Sequence, residues 1–577
     1  MTDIRLTATS RAEALDRLRR STEPGSELDV LVIGGGITGA GIALDAASRG
    51  LTTAVVEAQD WAAGTSSRSS KLVHGGLRYL QMLDFKLVME ALSERDLLLT
   101  ELAPHLVRPI PFLYPLRHRV WERAFVGAGI MLYDILATLR RGRRALPWHR
   151  HLTRRALTAV FPDFAQDAAV GAIEYWDANV DDARYVVTVL RTAKQHGALE
   201  ASRTQVVELT QDAQGTINGA VVQDLETGEL IPVRARSVIS STGAWTEKSQ
   251  ALAGTEGGLR VLTSKGIHIV VPKARINGTV GLILQTPTSV LFVIPWSRYW
   301  VIGTTDTPWT QELTHPTATA ADIDYLIAQA NGVLAHPIDR TDVIGTWAGL
   351  RPLLQPGTME GTNSAKVSRE HTVASPTPGL TVIAGGKFTT YRVMAKDAVD
   401  FALGAAARSN PSVTRSLPLT GADGLDAAEY EVRAASTGLG WSDSLVDHLL
   451  HRYGANVLDI LAIARANPDR AAVLTNARAY LGAEIEYAVT HEGALHLDDI
   501  MMRRTRMVYE YPDEASGALD EVVAIAGPLL GWDAKATARE LEVYRATVAA
   551  NAAAALKTDD ESAARAREEA PDIVPMV

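Results

Sequence analysis

Three glycines in the pattern G-x-G-x-x-G, Gly34, Gly36 and Gly39, are followed 23 residues after the first by a carboxylate, Glu57. Glycines at this spacing permit a tight turn and let backbone N–H groups approach a pyrophosphate at the positive end of a helix, here beginning at Ile37 and Thr38. A carboxylate at the end of the next strand can accept hydrogen bonds from an adenosine ribose. The motif predicts a dinucleotide cofactor without choosing between a flavin and a nicotinamide.

Residues 64–80, GTSSRSSKLVHGGLRYL, hold a second candidate. Hydroxyls and amides of Thr65, Ser66, Ser67 and Ser70 suit phosphate and ribityl oxygens, and Gly75 permits close backbone approach. A solvated loop has no need for the apolar and glycine-rich run from Leu72 through His74, so the segment reads as cofactor-lining rather than as surface. Residues 384–391, AGGKFTTY, are a third: a strand, two glycines and a threonine-rich helix start, with Gly386, Lys387, Thr389 and Thr390. One dinucleotide phosphate site needs only one such turn. A second helix N-terminus, more than 340 residues on, makes sense facing a flavin pyrimidine, where its positive end would steady the reduced anion. This turn points to FAD.

Cations stand near predicted strand ends: Lys265, His268, Arg351 and Arg369. Arginine forks match phosphate or carboxylate bidentately, so a cluster of them would select an anionic substrate. Spacing alone does not bring these residues together. Competing chemistries lack their residues: there is no H-E-x-x-H zinc motif, no P-loop lysine and no G-x-S-x-G elbow. His149 and His151 stand among arginines without a nearby carboxylate in sequence, and no metal site is expected.

The elements that must carry these groups follow from periodicity. An apolar run at 28–33, a helix at 37–48 and a second apolar run at 52–56 open a dinucleotide-binding unit. A short helix is expected within the leader 1–27, and another over 83–102. Prolines at 104, 109, 111 and 115 then mark an exit from the first domain. A helix at 183–195 and strands at 204–209, 219–223 and 237–241 follow. Runs at 267–271, 290–294 and 300–302 suggest an antiparallel sheet, and 380–384 another buried strand. Beyond 416 the chain turns helical and alanine-rich, its last twenty residues charged and expected to fray.

With 577 residues, 46% hydrophobic and 21% charged, the chain should form two or three globular domains. Its zero cysteines exclude disulfides, cysteine-ligated metal and thiol catalysis, and fit a reducing, cytoplasmic setting. The first 25 residues show no apolar targeting segment, and no run reaches the roughly 18 apolar residues of a membrane span. The net charge of −10 conceals a basic segment, 117–155, with ten arginines against Glu122 and Asp134. The acidic remainder argues against nucleic-acid binding. Trp121, Phe125, Ile130, Met131, Leu132, Ile135 and Leu139 in this segment suit either a buried helix or an apolar stripe on anionic lipid.

The run 64–80 resembles the signature of the respiratory FAD-dependent glycerol-3-phosphate dehydrogenases, and AGGKFTTYR at 384–392 resembles their second signature. KGIHIVVP (265–272), GTTDTP (303–308) and GLRPL (349–353) also match, and the likeness runs from about residue 28 to the C-terminus. The resemblance implies an α/β fold with α+β character. Its parts would be a glutathione-reductase-like FAD-binding domain of D-amino-acid-oxidase type, an antiparallel-sheet substrate domain and a helical C-terminal domain. The expected boundaries are 28–105, 170–262 and 340–405 for the FAD domain, 106–169 and 263–339 for the substrate domain, and 416–577 for the helical one. Lys71, Leu72, Val207, Thr242 and Gly243 would join the cofactor set.

Arg78, Tyr79, His268, Arg351, Arg369 and Lys387 would surround sn-glycerol 3-phosphate, with His268 as general base and Arg351 and Lys387 as electrostatic catalysts. The implied product is dihydroxyacetone phosphate, the implied acceptor a quinone reached by peripheral contact with the cytoplasmic face of the membrane. A homodimer is left open. Ile267 departs from the family, where a small polar residue is expected, which puts the hydrogen bonding beside His268 in question. Three alternatives stand: a glycerol-3-phosphate oxidase using oxygen, a related amino-acid or hydroxy-acid oxidase, and a flavin-binding protein without catalysis.

Overall fold

The computed structural model describes residues 3–77, 84–139, 145–254, 258–286, 290–355, 363–365 and 371–577. Arg78, Tyr79 and Arg369 lie outside the described residues.

The first sheet grows from Leu28–Ile33, which pairs in parallel with Thr53–Val56 on one side and with the end of Leu230–Ser240 on the other. Leu199–Ala201 and Leu380–Gly385 extend it, also in parallel, and His371–Thr377 adds an antiparallel strand beyond. These strands are buried on both faces, which is why they read as unbroken apolar runs. Side-chain alternation sends Val30, Val32 and Val55 toward the helices Ile37–Ser48, Asp182–Gln195 and Tyr391–Leu403. It sends Leu31, Ile33 and Val56 the other way, onto Leu15 and Leu18 of the leader helix Ala8–Arg20.

The second sheet is mixed and mainly antiparallel. Its order runs from Val261–Pro272 through Tyr299–Gly303, Val290–Trp296 and Gly281–Gln285 to Arg108–Leu116 and Gly171–Asn179. Gly345–Leu354 pairs along the free side of Val261–Pro272, matching Ser264 with Arg351 and His268 with Trp347. This differs from the expected division of the chain: 340–405 and 170–262 were placed with the cofactor domain. Yet Gly345–Leu354 and Gly171–Asn179 belong to this second sheet, and so does Leu72–Val73. Strand periodicity marks a strand without saying which sheet it joins.

The helices beyond 416 dock onto both sheets through buried ion pairs. Arg504 binds Asp60 with two nitrogens at 2.6 and 2.7 Å, Arg503 joins it at the same carboxylate, and Arg184 pairs with Glu492. Such pairs add little net stability but are costly to break singly, so they fix how the helical part seats against the cofactor loop. The C-terminal stretch is ordered, contrary to the expected fraying. Asp560–Glu568 is a helix whose Asp560 pairs with buried Lys265, and Val577 exchanges hydrogen bonds with the side chain of Gln205 at 2.7 and 2.9 Å. A charged sequence has lost its freedom here because its charges have buried partners.

Candidate active site

The glycine turn after Leu28–Ile33 has the close packing that the pattern requires. A Cβ on Gly39 would lie 1.8 Å from the Gly34 carbonyl oxygen, and one on Gly35 would lie 2.5 Å from the Trp61 ring. Gly34 has φ +106°, open to glycine at little cost. The helix from Ile37 starts on Gly36 without a side-chain cap of its own, and the Ile37 N–H donates to Ser66 Oγ at 3.0 Å. Thr38 lies one residue further into that first turn. Glu57 accepts from the Gly35 N–H at 2.6 Å and the Gln59 N–H at 2.7 Å. Burial raises its pKa against those bonds.

Val207 falls at a bulge: Val206 pairs with Val222 and Glu208 with Val221, so Val207 is skipped by the ladder. Thr242 bonds Ser249 at 2.9 Å, and Gly243 takes φ +56° at the same edge. These strand ends, a glycine cradle that a side chain would fill and an uncapped helix start fit a dinucleotide such as FAD.

The loop after Glu57 ties the two glycine turns to the second sheet. Thr65 Oγ1 donates to the Leu350 carbonyl at 2.6 Å, and Ser70 Oγ lies 2.8 Å from His268 Nε2. The His74 N–H donates to Thr389 Oγ1 at 3.1 Å, which donates back to the His74 carbonyl at 3.3 Å. Gly75 is held where the Tyr133 hydroxyl accepts its N–H at 2.8 Å, and a Cβ there would meet the Leu92 side chain at 2.4 Å. Lys71 turns away: its ammonium is buried against Asp182 at 2.6 Å and the Ser67 carbonyl at 3.0 Å, leaving only its backbone to a cofactor. Beyond the loop, Gly386 (φ +83°) and Lys387 precede Thr389 and Thr390, which lie in the short turn opening the helix Tyr391–Leu403.

His268 is the best-defined chemical group. It sits on Val261–Pro272 opposite Gly303 and Trp347, its ring stacked on Trp347 at 5.0 Å and 18°. A Cβ on Gly303 would come within 2.3 Å of the imidazole, so that neighbour must be glycine. Nδ1 is buried with no hydrogen-bond partner among the described residues. Burial first, then the charges of Arg351 and Lys71, hold the pKa well below 6.5, so the ring is neutral.

Arg351 stands across Gly266, where a Cβ would meet its Nη2 at 2.6 Å. Nη2 donates to Thr304 Oγ1 at 3.0 Å and to the Thr305 carbonyl at 3.1 Å, while Nη1 meets Asp306 at 3.3 Å. Lys387 is near enough to His74 to add to the lowering of that buried imidazole's pKa, which burial dominates.

Of the scattered cations, then, Arg351 joins His268. Lys265 does not. Strand alternation puts it with Ile267 and Ile269 on the opposite face, where it binds Asp322 at 2.5 Å and Asp560. The same alternation answers the question of Ile267, whose side chain enters the apolar core while His268 bonds Ser70 from the other face. Trp347, Thr304 and Asp306 were missed as site residues. They lie within or just before runs whose motifs were visible, and only the pairing of strands shows that they orient His268 and Arg351. His149 also corrects its reading: the helix Trp121–Leu139 brings Asp134 to 2.8 Å from Nδ1. No metal-binding group of three occurs among the described residues.

The helix Trp121–Leu139 presents part of the anticipated stripe. Trp121 (62% exposed), Phe125 (68%), Met131 and Ile135 face outward, joined by Val120 and Trp148. Ile130 is instead fully buried in the core and Leu132 half-buried, a correction that follows from the turn of the helix. No described helix is long and apolar enough to cross a membrane.

Comparison with known proteins agrees with this geometry. Residues 29–396 match the FAD dependent oxidoreductase family, and 412–537 match the C-terminal domain of alpha-glycerophosphate oxidase. The chain is 48% identical over 547 residues to a glycerol-3-phosphate dehydrogenase of Mycobacterium leprae, covering 95% of this chain and 92% of that one. It is 36% identical to the mitochondrial glycerol-3-phosphate dehydrogenase of Bos taurus, over 90% of this chain and 73% of the other. The crystal structure of the Bacillus halodurans glycerol-3-phosphate dehydrogenase complexed with FAD superposes with a TM-score of 0.73 at 27% identity, covering 93% and 96% of the two chains. The chain belongs to the FAD-dependent glycerol-3-phosphate dehydrogenase family.

Proposed function

We propose that this protein oxidises sn-glycerol 3-phosphate to dihydroxyacetone phosphate and passes the electrons to a membrane quinone. The observation that carries the substrate reading is the pairing of a buried neutral imidazole, His268, with a guanidinium held on the same face, Arg351. The imidazole accepts the proton of the C2 hydroxyl, while Arg351 and Lys387 share the phosphate and the developing oxyanion. Arg78, Tyr79 and Arg369 complete this set on the family pattern. FAD bound along the glycine turn and the 65–75 loop supplies the hydride acceptor. Thr65, Ser66, Glu57 and the backbone at Val207 would hold it, and the helix start at Thr389–Thr390 would stabilise negative charge at its reactive end.

The exposed stripe of Trp121, Phe125, Met131 and Ile135 supports the quinone reading. Arg117, Arg119 and Arg123 flank it, so apolar side chains can enter lipid while cations meet anionic headgroups. Purified enzyme on anionic vesicles containing a short-chain quinone should reduce the quinone upon adding glycerol 3-phosphate and release little hydrogen peroxide. Stoichiometric peroxide with no quinone reduction would assign the oxygen-using alternative.

A further inference from the structure

A cavity of about 150 Å³ lies behind the sheet that carries His268, between it and the C-terminal helices. Trp347, whose other neighbour is His268, lines it together with Tyr509 and Tyr544. Its cover includes the end of the chain: Ile573, Val574 and Met576 lie along it, fastened by Arg539 to the Ile573 carbonyl at 2.8 Å and by Gln205 to Val577. Four arginines, Arg68, Arg203, Arg503 and Arg567, enter the lining.

Their charges are unequally matched. Arg203 binds Asp499 at 2.7 Å, and Arg503 binds Asp498 at 2.9 Å, Asp499 at 2.7 Å and also Asp60. Those two are neutralised. Glu540 is taken by His496 at 2.7 Å and Glu514 by Asn551, burial pushing the Glu514 carboxyl up to about 7. Arg68 has no carboxylate in ion-pair range among the described residues, and its guanidinium donates only to the Thr314 carbonyl at 3.3 Å. Arg567 reaches the Ala570 carbonyl at 3.4 Å and His315 Nδ1 at 3.3 Å, with Asp572 at 4.0 Å.

Burial lowers the pKa of both, and for Arg68 the nearby charges of Arg503 and Arg567 add to the effect. Asp572 also lines the space, but it is held by His315 Nε2 at 2.8 Å and meets Arg567 only at 4.0 Å, so the two guanidiniums together remain electrostatically under-matched. A dianionic phosphate matches two arginine forks, and the volume corresponds to about five waters at roughly 30 Å³ each.

We propose that this cavity binds a small phosphate-bearing anion through Arg68 and Arg567, at a site separate from that of the substrate. The ligand is either free phosphate or the phosphoryl end of a small metabolite. Nothing in the chemistry assigned to His268 and Arg351 uses it, so its test is independent of the substrate reading.

The test is calorimetric titration of the FAD-loaded enzyme with inorganic phosphate and, in parallel, with methyl phosphate. An Arg351→Leu background weakens competition from the proposed substrate site. One binding event per chain should persist in that background, and Arg567→Leu or Arg68→Leu added to it should weaken that event at least tenfold. Binding of methyl phosphate as well assigns a phosphorylated metabolite, and binding of inorganic phosphate alone assigns free phosphate. Should Arg68→Leu fail to fold, Arg567→Leu and His315→Gln decide the matter. Loss of all binding with Arg351→Leu alone, or binding untouched by Arg567→Leu and His315→Gln, would overturn the proposal.

Discussion

Ser70 Oγ and His268 Nε2 lie 2.8 Å apart, joining a cofactor-loop hydroxyl to an imidazole 198 residues away on the second sheet. The contact engages Nε2, while Nδ1 is buried without a hydrogen-bond partner among the described residues. His268→Ala should therefore slow flavin reduction by glycerol 3-phosphate roughly 10²–10⁴-fold, the usual worth of a general base. Ser70→Ala should act in the same direction but less. Stopped-flow reduction measures both, and a near-normal His268→Ala rate would move the base elsewhere.

The acidity of that ring sets the pH profile. Burial and the neighbouring cations hold its pKa well below 6.5, so the proton-accepting form is already complete at neutral pH. The reduction rate should stay level through neutrality and fall only at pH values under the ordinary imidazole range. A rate that instead rises through pH 6.5 would show a normal histidine, contradicting the environment described here.

Arg351 should act on substrate binding. Arg351→Leu removes charge-assisted hydrogen bonds worth about 1.5–3 kcal/mol, or roughly 10–100-fold in kcat/KM. Arg351→Lys should recover only part of this, since an ammonium cannot reproduce a fork tied at once to Thr304, the Thr305 carbonyl and Asp306. Full activity in the lysine variant would mean that charge alone suffices.

Gly303 is required by the imidazole beside it. A methyl group there would come within 2.3 Å of His268, so Gly303→Ala should displace the ring or cost about 1–3 kcal/mol in overpacking. The expected result is a folded, FAD-containing protein with reduction slowed as in His268→Ala. Thermal unfolding and the flavin spectrum would separate a displaced ring from a lost fold.

His496 offers a stability test away from the chemistry. Burial opposes its charge, but hydrogen bonds to Glu226 and Glu540 outweigh that and raise its pKa to about 10. A raised folded pKa means stabilisation that is complete below the ordinary 6.5 and disappears as pH rises through about 10. The Tm of His496→Gln should consequently fall furthest below that of the unaltered protein under acidic and neutral conditions, with the gap closing in alkali.

Much of this site could be read in residue order, and the unread parts have a common cause. The turn at 34–39, Glu57 and the second turn at 385–386 show themselves because glycine, acid and strand stand in one short stretch. Lys265 and His268 are three residues apart, so a strand's two-residue period already puts them on opposite faces. Applied there, the rule would have removed Lys265 from the cation cluster. Trp347, Thr304 and Asp306 act through strand pairing, which no local pattern reveals. The ordered C-terminus depends on partners such as Lys265 and Gln205, hundreds of residues earlier.

The most direct measurement of the central claim is anaerobic titration of the purified flavoprotein with sn-glycerol 3-phosphate, using glycerol and lactate as controls. The account predicts bleaching of the flavin spectrum by glycerol 3-phosphate alone, with one dihydroxyacetone phosphate formed per flavin. Bleaching by lactate or an amino acid, with none by glycerol 3-phosphate, would contradict it.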